Sequence, residues 1–219
     1  ADRTELDEHL RAMGALGLEM LVTEIVPGPE DSYHSYYTYM DAHGRPLLHL
    51  TKQKLRQYPV GFGLATYHRI HRYQPAIEMG SRFFGAIGAR GVLNVEFKLD
   101  ERDGELKLIE CNHRFTAAHE LVRHAGIDLG LLAYNRLAGR PDPPLDGYRV
   151  GVSMWLPVED ARAFADMRRA GAITPVQWAR SLLRRQHFQL MTPRDPMPSL
   201  RSIARFARWP FARRRTVPG

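Results

Sequence analysis

Cysteine is almost absent: Cys111 stands alone in 219 residues. No internal disulfide can form, so the fold must rest on packing and hydrogen bonds, a usage that fits a reducing compartment and a cytoplasmic protein. Long apolar runs are missing too. Nothing approaches the ~20 residues that span a bilayer as a helix, and no secretory signal opens the chain. Glycine builds no phosphate-cradling loop, because Gly61-Phe62-Gly63 is too short and reads as a flexible corner. His68, His71, His119 and His124 lack a zinc-ligand spacing. No serine or cysteine has the setting of a nucleophile, and no internal repeat is visible.

What is present is ordinary in amount and uneven in distribution. Apolar residues make up 44% and charged residues 25%, as in a globular protein able to bury a proper core. The net charge of +7 hides a division. Residues 176–219 carry ten arginines against Asp195, a net +9, which leaves −2 for the preceding 175 residues. The body is near neutral and the end strongly basic. The first residue is Ala1, and a helix is expected almost at once; the expectation is a piece of a longer protein, although a processed terminus would read the same.

Periodicity predicts an amphipathic helix over 5–17 with Leu6, Leu10, Met13 and Leu16 on one face, then a strand over 18–26 stopped by Pro27-Gly28-Pro29. Two strands joined around His43-Gly44 and a short strand or link in ATYHRIH follow. A helix over 75–88 opens on proline, with Ile77, Phe84 and Ile87 as its buried stripe. Helical patterns return at 117–126 and 129–139. RPDPP is a linker, YRVGVSMWLPV returns one strand, and the rest reads as helical. Strands in hairpins with helices at intervals make an α+β chain, not a regular strand–helix alternation.

The most informative stretch is NVEFKLDERDGELKLIECNHR, residues 94–114. Asp103-Gly104 between two alternating runs signals a hairpin. Folding about residue 103 opposes residues whose numbers sum to 206: Asn94 with Asn112, Glu96 with Glu110, Lys98 with Leu108. One face then collects Leu93, Val95, Phe97, Leu99, Ile109 and Cys111, which makes Cys111 a buried thiol. The other collects Asn94, Glu96, Lys98, Glu110, Asn112 and Arg114. Opposed carboxylates about 5 Å apart destabilise a sheet unless a cation sits between them or one holds a proton. Lys98 and Arg114 are near but displaced along the ladder. Two carboxylates and the Asn112 amide oxygen form a hard oxygen set suited to Mg²⁺. The plain alternative is a solvated hairpin whose polar face points at water.

VTEIVPGPED (22–31), KQKLRQYP (52–59), NVEFK (94–98) and IECNHR (109–114), in that order, resemble the ATP-grasp superfamily. The likeness is greatest to its predicted carboxylate–amine ligase branch, near the ATP-binding modules of carbamoyl-phosphate synthase and amino-acid ligases, and runs over about residues 5–141. The resemblance implies a nucleotide gripped between two α+β lobes, with ATP and Mg²⁺ (or Mn²⁺) as cofactors. It implies metal ligation by Glu96, Glu110 and Asn112. It implies adenine pairing by the backbone of Glu24, Ile25 and Val26, and ribose binding by Glu30, with Asp31 a second candidate. Lys98 joins the cofactor-binding candidates. Arg114 would stand near the transferred phosphoryl group, and Lys54 and Arg56, alternating onto one strand face with Lys52, would face phosphate. Residues 1–60 would be the remainder of the small lobe, including a hinge strand at 18–26. Residues 61–145 would be the catalytic lobe with the metal-binding hairpin at 92–114, and 146–219 a C-terminal extension.

The family's phosphate-contacting lysines and glycine-rich loop would lie before Ala1, which makes a missing N-terminal portion an expected partner. His113 stands where many relatives have proline. The activity implied is an ATP- and Mg-dependent ligase joining a small-molecule carboxylate to an amine through an acyl phosphate. A catalytically silent nucleotide-binding module is the first rival. The second is a basic membrane- or RNA-binding protein acting through residues 197–219. There, in LRSIARFARW, Leu200, Ile203 and Ala207 share one helical face and Arg201, Arg205 and Arg208 another.

Overall fold

The computed structural model describes residues 2–188 together with Pro196, Met197, Leu200 and Arg201. Apart from those last three, the stretch 197–219 expected to form a basic amphipathic helix lies outside the described residues.

Seven strands form one sheet: β1 (Tyr33–Met40), β2 (Leu50–Tyr58), β3 (Leu64–Ile70), β4 (Gly91–Leu99), β5 (Leu106–Asn112), β6 (Ser153–Trp155) and β7 (Gln186–Phe188). Their order is β5-β4-β1-β2-β3-β6-β7, with every pair antiparallel except β6–β7. The helices are α1 (Arg3–Gly14), α2 (Gln74–Ala86), α3 (His119–Ala125), α4 (Leu129–Leu137), α5 (Pro157–Arg169) and α6 (Pro175–Leu182). This is a mixed sheet flanked by helices, an α+β architecture, and it runs unbroken from residue 33 across positions 60 and 145.

β1 carries four tyrosines and lies inside the sheet between β4 and β2, and both of its faces are covered. On one face Tyr36, Met40, Leu93, Val95 and Phe97 pack against Ala76, Ile77 and Phe84 of α2. Gly80 makes that approach possible, since a Cβ there would come within 2.3 Å of the Tyr36 ring. On the other face Tyr37, Leu50, Ile70 and Met154 pack against Leu121, Val122, Ala125, Leu129 and Leu132 of α3 and α4. The second helical layer stops short of the β1–β5 polar residues, and the uncovered part of that face becomes the site.

Several expectations require correction. Residues 18–26 form no strand: they pair with nothing in the sheet, and Leu18, Leu21, Val22 and Ile25 are exposed. An apolar run needs a neighbouring ladder to become a strand, and none is present among the described residues. α1 forms, but buries no residue. Ile87 is exposed because it caps α2, after the helix has turned past the core. The hairpin register holds for Asn94–Asn112 and Glu96–Glu110 and then shifts, so that Lys98 opposes Lys107, not Leu108. The extra residue at the shift is Ile109, a β-bulge. The bulge displaces Ile109 from the apolar face, and Cys111 is exposed because β5 is the edge strand and no helix covers that end of its apolar face. β7 arises where a helical continuation was expected.

Candidate active site

Side chains alternate across a strand, and directly paired residues share a face. Pairing Ser35 with both Lys52 and Glu96, Tyr33 with Lys98, Tyr37 with Asn94, Lys54 with His68 and Glu96 with Glu110 gathers a polar field on one face of five strands. The central member of the row is Ser35, short enough for the lysines of β2 to reach across β1 to β4. Lys54 Nζ donates to Glu96 Oε1 at 2.9 Å, and Ser35 Oγ donates to Glu96 Oε2 at 3.0 Å. Lys52 Nζ lies 3.9 Å from Glu96 Oε2. Lys54 also donates to Gln57 Oε1 at 3.1 Å and sits 4.2 Å above the centre of the Tyr33 ring. The cations that offset Glu96 therefore come from β2, not from Lys98 or Arg114.

These groups open on a cavity of about 570 Å³ whose lining includes Lys52, Lys54, His68, Asn94, Glu96 and Glu110. Its rim is the β2–β3 corner, where Gly63 presses on the Tyr58–Pro59 backbone so closely that a Cβ would fall 2.1 Å from the Tyr58 carbonyl carbon. Glu30, in the 3-10 turn Glu30–Ser32, holds that corner by accepting from the Gly61 N–H at 3.0 Å.

Burial raises the Glu96 carboxyl, but Lys52, Lys54 and the bonds from Lys54 and Ser35 outweigh it and hold its pKa below the ordinary value. Burial lowers Lys52, partly offset by Glu96 and Glu110. Burial, then Lys52 and Lys54, push His68 well below the ordinary histidine value, so it is neutral. Several polar atoms here have no partner among the described residues: both ring nitrogens of His68, Gln57 Nε2 and Glu30 Oε2 are buried without a hydrogen bond. Leaving such groups unmet costs roughly 1–3 kcal/mol each, so a polar ligand in the cavity would find them ready.

Glu96, Glu110 and Asn112 lie on the same face in adjacent register. The Asn112 amide donates to Glu110 Oε1 at 2.9 Å and approaches Asn94 Oδ1 at 3.5 Å. Among the described residues no group of three or more His, Cys, Asp or Glu is placed to hold a metal. A metal here would rest on two carboxylates and an amide oxygen, with water and phosphate oxygens completing the shell. That donor set fits Mg²⁺, which keeps several waters and takes few protein ligands.

The other predicted residues fall differently. Lys98 is buried and donates to the Val26 carbonyl at 2.8 Å, with its ammonium 4.8 Å from the Tyr33 ring centre. Glu24 and Ile25 are exposed, and the Glu24 carboxylate accepts from Arg102 at 2.6 Å. Arg114 is exposed, donates to the Phe115 carbonyl and does not line the cavity. His113 meets the Arg90 carbonyl. Arg56 does not share a face with Lys52 and Lys54. A bulge at Leu55 turns it to the opposite side, opposite Tyr67, and a compensating shift in β3 returns Gln57 and Ala65 to the cavity. Arg56 is bound instead to Asp160 of α5, through Nε at 2.7 Å and Nη2 at 2.9 Å.

Sequence reasoning missed Ser35, Gln57 and His68. His68 had a usable signal: mirroring β2 and β3 about Gly61 puts Lys54 against His68 and Lys52 against Ile70, as observed. Ser35 and Gln57 had none, because a serine or glutamine in a strand is unremarkable until its neighbours are known.

No protein-family model matches the sequence, and no curated protein matches it. The chain is similar to solved structures over little more than half of its length. A pyruvate carboxylase from Rhizobium etli matches 55% of this chain and 13% of its own, at 18% identity and a TM-score of 0.45. A biotin carboxylase from Campylobacter jejuni, solved as a β-γ-ATP complex, matches 57% of this chain and 29% of its own, at 16% identity and a TM-score of 0.46. The ATPase subunit of phosphoribosylaminoimidazole carboxylase from Aquifex aeolicus matches 57% of this chain and 39% of its own, at 16% identity and a TM-score of 0.44.

Proposed function

We propose that this chain supplies the catalytic lobe of an ATP- and Mg-dependent ligase of the ATP-grasp type, joining a carboxylate to an amine through an acyl phosphate. One observation carries the reading: Glu96 and Glu110 face each other across the β4–β5 ribbon and line one cavity with two lysines that, among the described residues, pair with Glu96 alone. Glu96, Glu110 and Asn112 would hold the Mg²⁺, which neutralises and orients phosphate oxygens when bound. Lys54 and Lys52 are buried and within reach of Glu96. With a cation on Glu96, Lys54 can trade that carboxylate for a phosphoryl oxygen, where low dielectric strengthens the contact. Glu30 has one buried carboxylate oxygen without a partner beside the Gly61 corner, which supports its assignment to the ribose hydroxyls. For Val26 to pair with adenine, its carbonyl must be shared with or released by Lys98. Arg114 enters this reading by resemblance alone and must change rotamer to reach the cavity.

Substrate carboxylate would attack the γ-phosphorus of ATP with ADP leaving, and the amine would then attack the acyl carbon with phosphate leaving. The protein's part is positioning and charge neutralisation, which needs no serine or cysteine nucleophile. Calorimetry with ATP, with and without Mg²⁺, tests the reading. Metal-dependent binding that weakens more than about tenfold in Glu96→Gln and in Glu110→Gln is expected. Phosphate release on adding a carboxylate and an amine separates a ligase from a silent nucleotide-binding module. Absence of any nucleotide binding would end the proposal.

A further inference from the structure

A second cavity, of about 370 Å³, lies on the opposite face of β2, against α6. Four arginines line it: Arg56 and Arg69 from β2 and β3, Arg180 from α6, and Arg184 just beyond that helix. Asp31 is the sole acid of the lining. Arg56 is committed to Asp160 and lies 4.5 Å above the Tyr67 ring. The other three are not committed. Arg69 donates only to the neutral Gln53 Oε1, at 3.0 Å, and neither it, Arg180 nor Arg184 forms an ion pair with any described residue. The C-terminal end of α6 explains a cation or two nearby, because the helix dipole favours them there. It does not explain Arg69 on a strand facing them, nor why a concavity should gather three like charges that have no ion pair among the described residues and whose mutual repulsion disfavours the fold.

We propose that this cavity is a binding site for a small polyanion, phosphorylated or polycarboxylic, separate from the nucleotide cavity. Guanidinium forks match carboxylate and phosphate oxygens bidentately, and three of them against one aspartate call for a ligand of more than one negative charge. The volume suits a small metabolite better than an extended strand of nucleic acid. The inference does not rest on the ligase reading.

The test is calorimetry on the full chain with tripolyphosphate and with citrate as separate probes, in wild type, in Arg180→Ala/Arg184→Ala and in Arg69→Gln. Both sets of changes leave buried ion pairs alone. Binding of at least one probe is expected to weaken by about tenfold or more in each arginine variant, and to survive in Lys54→Met, which separates this cavity from the first. Stronger binding of tripolyphosphate assigns a phosphorylated ligand, and stronger binding of citrate a polycarboxylic one. The proposal falls if neither probe binds, or if the arginine variants bind like wild type. It falls also if single-stranded RNA binds more tightly than both probes and is lost in the same variants.

Discussion

Lys54 and Arg56, two of the three buried cations of β2, stand only two residues apart, and their surroundings differ in kind. Arg56 meets Asp160, which also accepts from Thr66 Oγ1 at 3.0 Å and Trp178 Nε1 at 2.8 Å, so that both carboxylate oxygens are filled twice. Ser181 Oγ accepts a further hydrogen bond from Arg56 Nη1 at 2.9 Å. The cluster is closed, and it fastens α5 and α6 to the sheet. Lys54 meets Glu96, but the atoms around it are unfinished: His68 has two unpartnered nitrogens, Gln57 has one, and a cavity adjoins them. A satisfied buried charge cluster specifies a fold, whereas an unsatisfied one beside a cavity is built for something that is not protein.

That contrast can be broken most sharply at Asp160. Replacing it with alanine strands Arg56 in the interior, and a stability loss of about 3–5 kcal/mol in urea titration is expected. The paired change Arg56→Met/Asp160→Leu should recover only part of that loss: it removes the stranded charge, but Thr66 Oγ1 and Trp178 Nε1 still lose their acceptor. Gly80→Ala comes next: its methyl meets the Tyr36 ring, and about 1–3 kcal/mol of destabilisation should appear in the same titration. Lys54→Met should cost less, about 1 kcal/mol, because Glu96 keeps Lys52 and Ser35. The same variant should lose ATP affinity by more than about tenfold, the signature of a ligand-facing charge. If Lys54→Met unfolds the protein as readily as Asp160→Ala, the two clusters do not differ as described.

A separate effect is in pH. His68 and His34 both have pKa values lowered by burial, His34 to about 4. A histidine depressed in the folded state stabilises fully above its unfolded value near 6.5, and that contribution is lost as pH falls toward the folded value. Stability should therefore fall between pH 6.5 and 4, by at most about 1.4 kcal/mol per pH unit for each histidine. His68→Gln and His34→Gln should each flatten that slope, measured by denaturant titration across the range.

Much of this was legible beforehand, and the failures share a cause. Asp103-Gly104 and strict alternation were enough to oppose Glu96 and Glu110 and to set them on the polar face, because local turn chemistry decides register. Alternation was also enough to put Lys52 and Lys54 together. It failed at Arg56 and at Lys98, where single-residue bulges at Leu55 and Ile109 reset the count. Nothing in the residue types announces those bulges; they follow from how the strands twist against α5 and at the sheet edge. Residues 18–26 failed for the opposite reason. Their composition is that of a strand, but a strand also requires a partner, and composition is silent on that. Asp160 was invisible because its partners lie 94 and 104 residues away in sequence.

The most direct test of the central claim is electron paramagnetic resonance of Mn²⁺, standing for Mg²⁺, titrated into the full chain with ATP. The account predicts a bound Mn²⁺ signal that requires both protein and nucleotide and that disappears in Glu110→Gln while surviving in Arg180→Ala/Arg184→Ala. A signal unchanged in Glu110→Gln would show that the opposed carboxylates do not hold the metal, and would contradict it.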